Sequence, residues 1–229
     1  MKSNKEIRAL ALGELKGFWT MPVLATLVYF IITYACSLPN SISTMIKGEI
    51  VPITYFIQML LSIFVLIPLG YGFLLAFLHF LRENKEDTVE VMFHGFKTYG
   101  RALGVQLLNT LLIMLYMLLL IVPGIIKAFA YSMSVFVSKD HPEMTPLECI
   151  HRSEDLMRGH KKQLFLMCLG FLGLLLLSVF TLFIGVLWLE PYMMTCMAQF
   201  YEEVKAEDEA RAMEEVTVEE GPETLPEQA

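Results

Sequence analysis

From Ala102 to Ser138 the chain carries one formally charged side chain, Lys127. Such a stretch, roughly 37 residues, makes about 55 Å of helix at about 1.5 Å per residue, against a hydrocarbon core of roughly 30 Å. That is too long for one crossing and a little short for two comfortable ones. Charge is scarce overall as well: 18% of the 229 residues are Asp, Glu, Lys or Arg, and 55% are hydrophobic. A soluble domain carries about 25% charged residues. The shortfall is gathered into long runs, which marks a chain whose solvent is lipid.

Reactive motifs are missing too. The four cysteines (Cys36, Cys149, Cys168, Cys196) show no C-x-x-C spacing and sit mostly in apolar runs, as reduced apolar fillers do. His151, His160 and Cys149 lack a further ligand at finger-like spacing. There is no H-E-x-x-H and no glycine loop ending in Gly-Lys-Ser/Thr. The apolar runs offer no aspartate and one terminal glutamate, Glu190, so nucleophile and base at matched depth are not to be found. These gaps argue against an enzyme and imply no cofactor, no metal and no nucleic-acid partner.

What is present is a succession of apolar blocks. They read as spans at about 19–38, 55–81, 102–122, 124–138, 164–188 and 190–202. "PNSISTMIKGE" after the first is polar and turn-rich and reads as a loop. "PLGYG" at 68–72 interrupts the second, whose length leaves room for tilt or a kink. "RENKEDTVEVMFHGFKTYGR" (82–101) places Val89, Met92, Phe93 and Phe96 at helical spacing, as either a surface helix or a soluble connector. In "KDHPEMTPLECIHRSEDLMRGHKKQ" (139–163), Thr145 caps a helix beginning at Pro146, with Glu148 completing a capping box.

Charge is unevenly divided. The net charge is −7, but residues 202–229 hold eleven acidic side chains against Lys205 and Arg211. The remaining 201 residues are faintly basic, so an acidic tail (205–229, disordered from about Val216) follows the membrane domain, 1–204. Basic residues cluster before the first span (Lys2, Lys5, Arg8, Lys16), in 82–101 (Arg82, Lys85, Lys97, Arg101) and in 139–162 (Lys139, Arg152, Arg158, Lys161, Lys162). By the positive-inside rule these three segments share the cytoplasmic face if each block between them crosses twice. Pro123-Gly124 is then the reversal at the far tip of a hairpin, and both termini lie inside. The expected fold is all-α: a polytopic membrane protein of three helical hairpins with short interfacial or cytoplasmic amphipathic helices.

The blocks also repeat. "GIIKAFAYSM" (124–133) matches "GVLWLEPYMM" (185–194), pairing Gly124 with Gly185, Tyr131 with Tyr192 and Met133 with Met194. Each hairpin is preceded by a glycine beside a basic residue: Lys16-Gly17, Gly100-Arg101, Arg158-Gly159. The unit is surface helix, glycine, hairpin, used three times.

Four segments, "LKGFW" (15–19), "VPGIIKAFAYSM" (122–133), "ECIHRSEDLMRGHKKQLF" (148–165) and "LFIGVLWLEPYMMTCMAQFYEE" (182–203), carry a resemblance. Together they resemble the bacterial integral membrane proteins grouped as domain of unknown function 975, over about residues 5–204. That resemblance implies a multi-span protein of the bacterial cytoplasmic membrane and transfers no catalytic residue.

Several residues stand out. A lysine at mid-bilayer costs about 2.5–3.5 kcal/mol. Lys127 therefore reads as a snorkelling anchor at the outer face, as the partner of Glu190 at the same depth in the next hairpin, or as an ion or substrate contact. Pro123, Gly124, Gly185 and Pro191 mark the reversals, with Tyr131 and Tyr192 at repeat-equivalent places. Arg158, His160, Lys161 and Lys162 either enforce orientation or hold anionic lipid headgroups. The functional expectation is a non-enzymatic membrane scaffold or accessory subunit, whose partners are the bilayer and a membrane or cytoplasmic protein. A small transporter or lipid-binding permease is the alternative.

Overall fold

The computed structural model describes residues 1–47, 52–83 and 85–219, and among these every regular element is helical. Helix α1 (Asn4–Leu15) starts in a capping box: the Glu6 carboxylate accepts from the backbone N–H of Ser3, and Glu6 N–H donates to the Ser3 hydroxyl. It buries Ile7, Ala11 and Leu15, one face at helical spacing. Gly17, at φ +89°, turns the chain out of α1 and Gly159, at φ +84°, does so ahead of the third hairpin. Both sit in left-handed backbone that a Cβ disfavours.

Helix α2 (Thr20–Lys47) runs straight through Pro39. The polar loop expected from 39 is therefore helix as far as Lys47. Ser37, Ser41 and Thr44 donate to the carbonyls of Tyr34, Ser37 and Asn40, one turn back. A hydroxyl that satisfies itself on its own helix does not need water, so it tolerates lipid. The return arm is α3 (Pro52–Leu61), a π turn (Ser62–Leu66) and α4 (Ile67–Arg82) in continuous succession. The π turn precedes Pro68, which has no N–H to give the α ladder.

A short 3₁₀ turn leads to α5 (Thr88–Met92) and α6 (His94–Lys97). The segment folds back onto α4. A Cβ on Gly72 would fall 1.9 Å from the Met92 carbonyl oxygen, and one on Gly95 1.9 Å from that of Pro68. Met92 and Gly95 face α4, while Phe93 and Phe96 stay exposed.

The second hairpin is α7 (Tyr99–Leu119) against α8 (Ile121–Tyr131), continued after a bend by α9 (Ser134–Asp140). Helix α10 (Pro146–Leu156) opens with the expected Thr145–Glu148 capping box and Pro146 in its first turn. Its buried face, Cys149, Ile150, Ser153 and Leu156, packs on α7, α8 and α9.

The third hairpin is α11 (Lys161–Leu177) and α12 (Val186–Glu219), joined through a 3₁₀ turn at Ser178–Thr181. The reversal lies at Leu182 and Phe183, both with positive φ, ahead of Gly185. The turn expected at Glu190-Pro191 is instead inside α12, where the Thr195 hydroxyl donates to the Pro191 carbonyl at 2.7 Å. That helix continues to Glu219, so the tail is helical well past 205; the rest of the expected disorder, 220–229, lies outside the described residues.

Among the described residues, five helical stretches are long and apolar enough to cross a membrane: Thr20–Ile46, Pro52–Arg82, Tyr99–Leu119, Ile121–Asp140 and Lys161–Thr181. The chain is an all-helical, multi-pass membrane protein. The core gathers around α4, whose Leu69, Phe77 and Phe80 are fully buried, and which meets both α9 and α12.

The short helices order the three units. Helices α5 and α6 lie on the first hairpin, α10 lies on the second, and α1 lies on the third. Asn4 donates to the Gln163 carbonyl at 2.8 Å, Gln163 returns a bond to the Lys2 carbonyl at 2.8 Å, and Arg8 donates to the Met167 carbonyl at 2.7 Å. Each short helix covers the hairpin before it, and α1 covers the last.

Candidate functional site

The second arms of the three hairpins end together in a cluster of charge. Arg82 closes α4, Asp140 closes α9, and Tyr201, Glu202 and Lys205 lie on α12. Asp140 accepts from both terminal nitrogens of Arg82 (2.5 and 2.9 Å), from the Tyr201 hydroxyl (2.9 Å) and from Lys205 Nζ (2.6 Å). Arg82 Nε reaches Glu202 at 2.6 Å. Below the cluster the Tyr71 and Ser138 hydroxyls share a bond of 2.7 Å, and the Phe136 ring stacks on Tyr201 at 5.2 Å. An aspartate so fully occupied has little capacity left to take a proton or ligate a solute; what the cluster does is hold three arms together.

Two other arginines are spent on backbone. Arg101 donates to the carbonyls of Ser138, His141 and Pro142, closing the open end of α9. Arg8 donates to Met167 and lies over the Phe171 ring at 4.7 Å. Sequence reading assigned Arg8, Arg82 and Arg101 to orientation alone. Their position at the edges of apolar runs was visible; their acceptors belong to distant segments and were not.

Lys127 is bound to Glu154 of α10, at 2.6 and 2.8 Å, and lies over the rings of Tyr116 and Tyr131. The expected pairing with Glu190 does not form. Glu190 is half-buried beside Tyr29 of α2, without a hydrogen bond or ion pair among the described residues. The reason is the position of α10, which brings its own carboxylate to the lysine first. The Lys127 hydrogen bond holds the Glu154 carboxyl below its ordinary range.

The two tyrosines paired by the repeat have different neighbours. Tyr131 packs in a cluster with Ile150 of α10 and Leu108 and Leu112 of α7. Tyr192 meets Phe171 of α11 edge-on at 5.5 Å. Gly124 lies against Met117 across the hairpin, and the Gly185 N–H donates to the Thr181 hydroxyl. Pro123 falls within α8, just past a reversal at Leu120. Pro191 is buried inside α12.

That reversal is not on the far side of the bundle. Val122, Ile126 and Phe129 of α8 line one groove of about 370 Å³ with Lys161, Lys162 and Phe165 of α11. The start of α8 therefore stands beside the third basic segment. Of the four proposed headgroup residues, Arg158 pairs with Asp155 at 2.8 Å. His160 is mostly buried near Glu207, and burial pushes its pKa down, leaving the ring neutral at pH 7. Lys161 and Lys162 have no hydrogen bond or ion pair among the described residues.

Two further apolar grooves open on the flanks. One, of about 320 Å³, is lined by Leu12, Trp19, Leu177, Trp188 and Tyr192; the other, of about 470 Å³, by Leu103, Leu107, Leu111 and Pro146. All four cysteines are free, and no cluster able to hold a metal is found among the described residues.

Fold and site together define a multi-pass helical membrane protein with a charged joint between α4, α9 and α12. The chain belongs to the family described as protein of unknown function (DUF975), whose model matches residues 1–128 and 112–208. No curated protein and no solved structure matches it.

Proposed function

We propose that this protein is a non-enzymatic scaffold or accessory subunit of the bacterial cytoplasmic membrane, with its termini inside and the acidic end of α12 as its handle for a partner. The observation that carries this reading is the saturation of Asp140 by Arg82, Tyr201 and Lys205, which spends the most concentrated charge in the bundle on internal cohesion. Beyond that joint, α12 extends to Glu219, and Glu209 to Glu214 are exposed. An exposed helix projecting from a rigid base suits a docking element better than a catalytic one.

A second reading, lipid binding, is favoured by the three flank grooves, whose linings are apolar. A photocrosslinking residue at Met213, which is 69% exposed, separates the two. A discrete protein adduct in intact cells, lost when the exposed Glu209 and Glu214 are changed to lysine with the probe kept in place, supports the scaffold. Absence of any protein adduct, with phospholipid retained by the purified protein, removes it in favour of lipid binding.

A further inference from the structure

We infer that the groove between α8 and the start of α11 is a binding site for one anionic phospholipid, with its phosphate on Lys161 and Lys162 and an acyl chain along Val122, Ile126, Phe129 and Phe165. The two lysines differ from most of the basic side chains around them. Lys2, Arg8, Arg82, Lys85, Arg101, Lys127, Arg152, Arg158 and Lys205 all have acceptors within the protein. Lys161 and Lys162 have none, although they are adjacent and share a groove. Lys161 feels the Glu154 carboxylate, but Glu154 is already bonded to Lys127.

Depth and lining agree with the charge. Lys161 begins a stretch, Lys161–Thr181, long and apolar enough to cross, so its ammonium stands where headgroups lie. The groove lining is apolar throughout, Lys161 and Lys162 contributing their hydrocarbon stems, and Phe129 meets Phe165 edge-on at 5.7 Å within it. A soluble anion would use only the cationic end. A phospholipid uses both, because the same molecule carries charge and hydrocarbon.

The test uses the full chain in nanodiscs containing equal parts of phosphatidylglycerol and phosphatidylcholine, released into native mass spectrometry. Retained lipid should be enriched in phosphatidylglycerol. Lys161→Gln with Lys162→Gln should cut the enrichment by about fivefold per lysine, the factor matching about 1 kcal/mol for a basic residue near the surface. Lys97→Gln with Lys139→Gln should leave it unchanged. No enrichment in the parent, or equal loss in both double variants, overturns the site. Displacement of the lipid by inorganic phosphate assigns it to a soluble anion and overturns it too.

Fluorescence places the chain. With Phe165→Trp in a Trp19→Phe, Trp188→Phe background, brominated phosphatidylglycerol should quench more strongly than brominated phosphatidylcholine. Equal quenching removes the groove from the proposal. If the double glutamine variant does not fold, Lys162→Gln alone, at an exposed position, should give the fivefold loss, and an unchanged ratio refutes the assignment.

Discussion

Arg82 grips Asp140 with both terminal nitrogens of its guanidinium, across 58 positions of sequence. The pair joins the ends of the first and second hairpins, and Lys205 and Tyr201 bring the third to the same carboxylate. Asp140 is 7% exposed. Removing it leaves two cations facing a vacated, nearly dry position, so Asp140→Ala should cost about 3 kcal/mol. Thermal unfolding in detergent measures this. Arg82→Ala added to Asp140→Ala should cost much less than its single value, and full additivity would dissolve the joint.

The partner of Lys127 is open to the same method. Lys127→Met and Glu154→Gln should couple by about 1 kcal/mol, since each side chain is about a quarter exposed. Lys127→Met and Glu190→Gln should add. Reversal of that pattern would restore the pairing read from the repeat.

Acid gives the same pair a second readout. The native Glu154 carboxyl is held below its ordinary value by Lys127. Its contribution is complete above the unfolded value of about 4.3 and is lost as pH falls through the lowered native one. Unfolding followed downward from about pH 5 should therefore show a loss that Lys127→Met reduces. An identical acid slope in the two proteins contradicts the assignment.

Glycine positions separate contact from composition. Gly72→Ala and Gly95→Ala each push a methyl into a backbone carbonyl at 1.9 Å, so each should destabilise by about 1–3 kcal/mol or prevent folding. Gly173→Ala meets nothing within 4 Å and should be neutral or slightly stabilising. Equal effects at all three would mean that α5 and α6 do not press on α4.

Sidedness tests the second hairpin. On a cysteine-free background, Pro123→Cys and Lys162→Cys should react with an impermeant thiol reagent from the same side, because Val122 and Lys162 line one groove. Labelling from opposite sides would return Pro123 to a far tip.

Much of the architecture is written along the chain because lipid reads sequence locally. A run without charge must bury itself whatever its neighbours do, so the apolar stretches, the Thr145 cap and the turns at Gly17 and Gly159 follow from residue type alone. Proline misled twice. Pro39 and Pro191 sit inside helices, since serine and threonine hydroxyls on the same helix satisfy themselves on its carbonyls and the apolar face holds its course.

Pairing between segments is another matter. That Lys127 meets Glu154 rather than Glu190, that α1 packs on α11 and α12, and that Arg82 and Lys205 converge on Asp140 depend on how packed arms bring distant residues to one place. A charge in a low-dielectric bundle takes the nearest opposite partner, and nearness there is set by helix crossing, a quantity that no single stretch of residues contains.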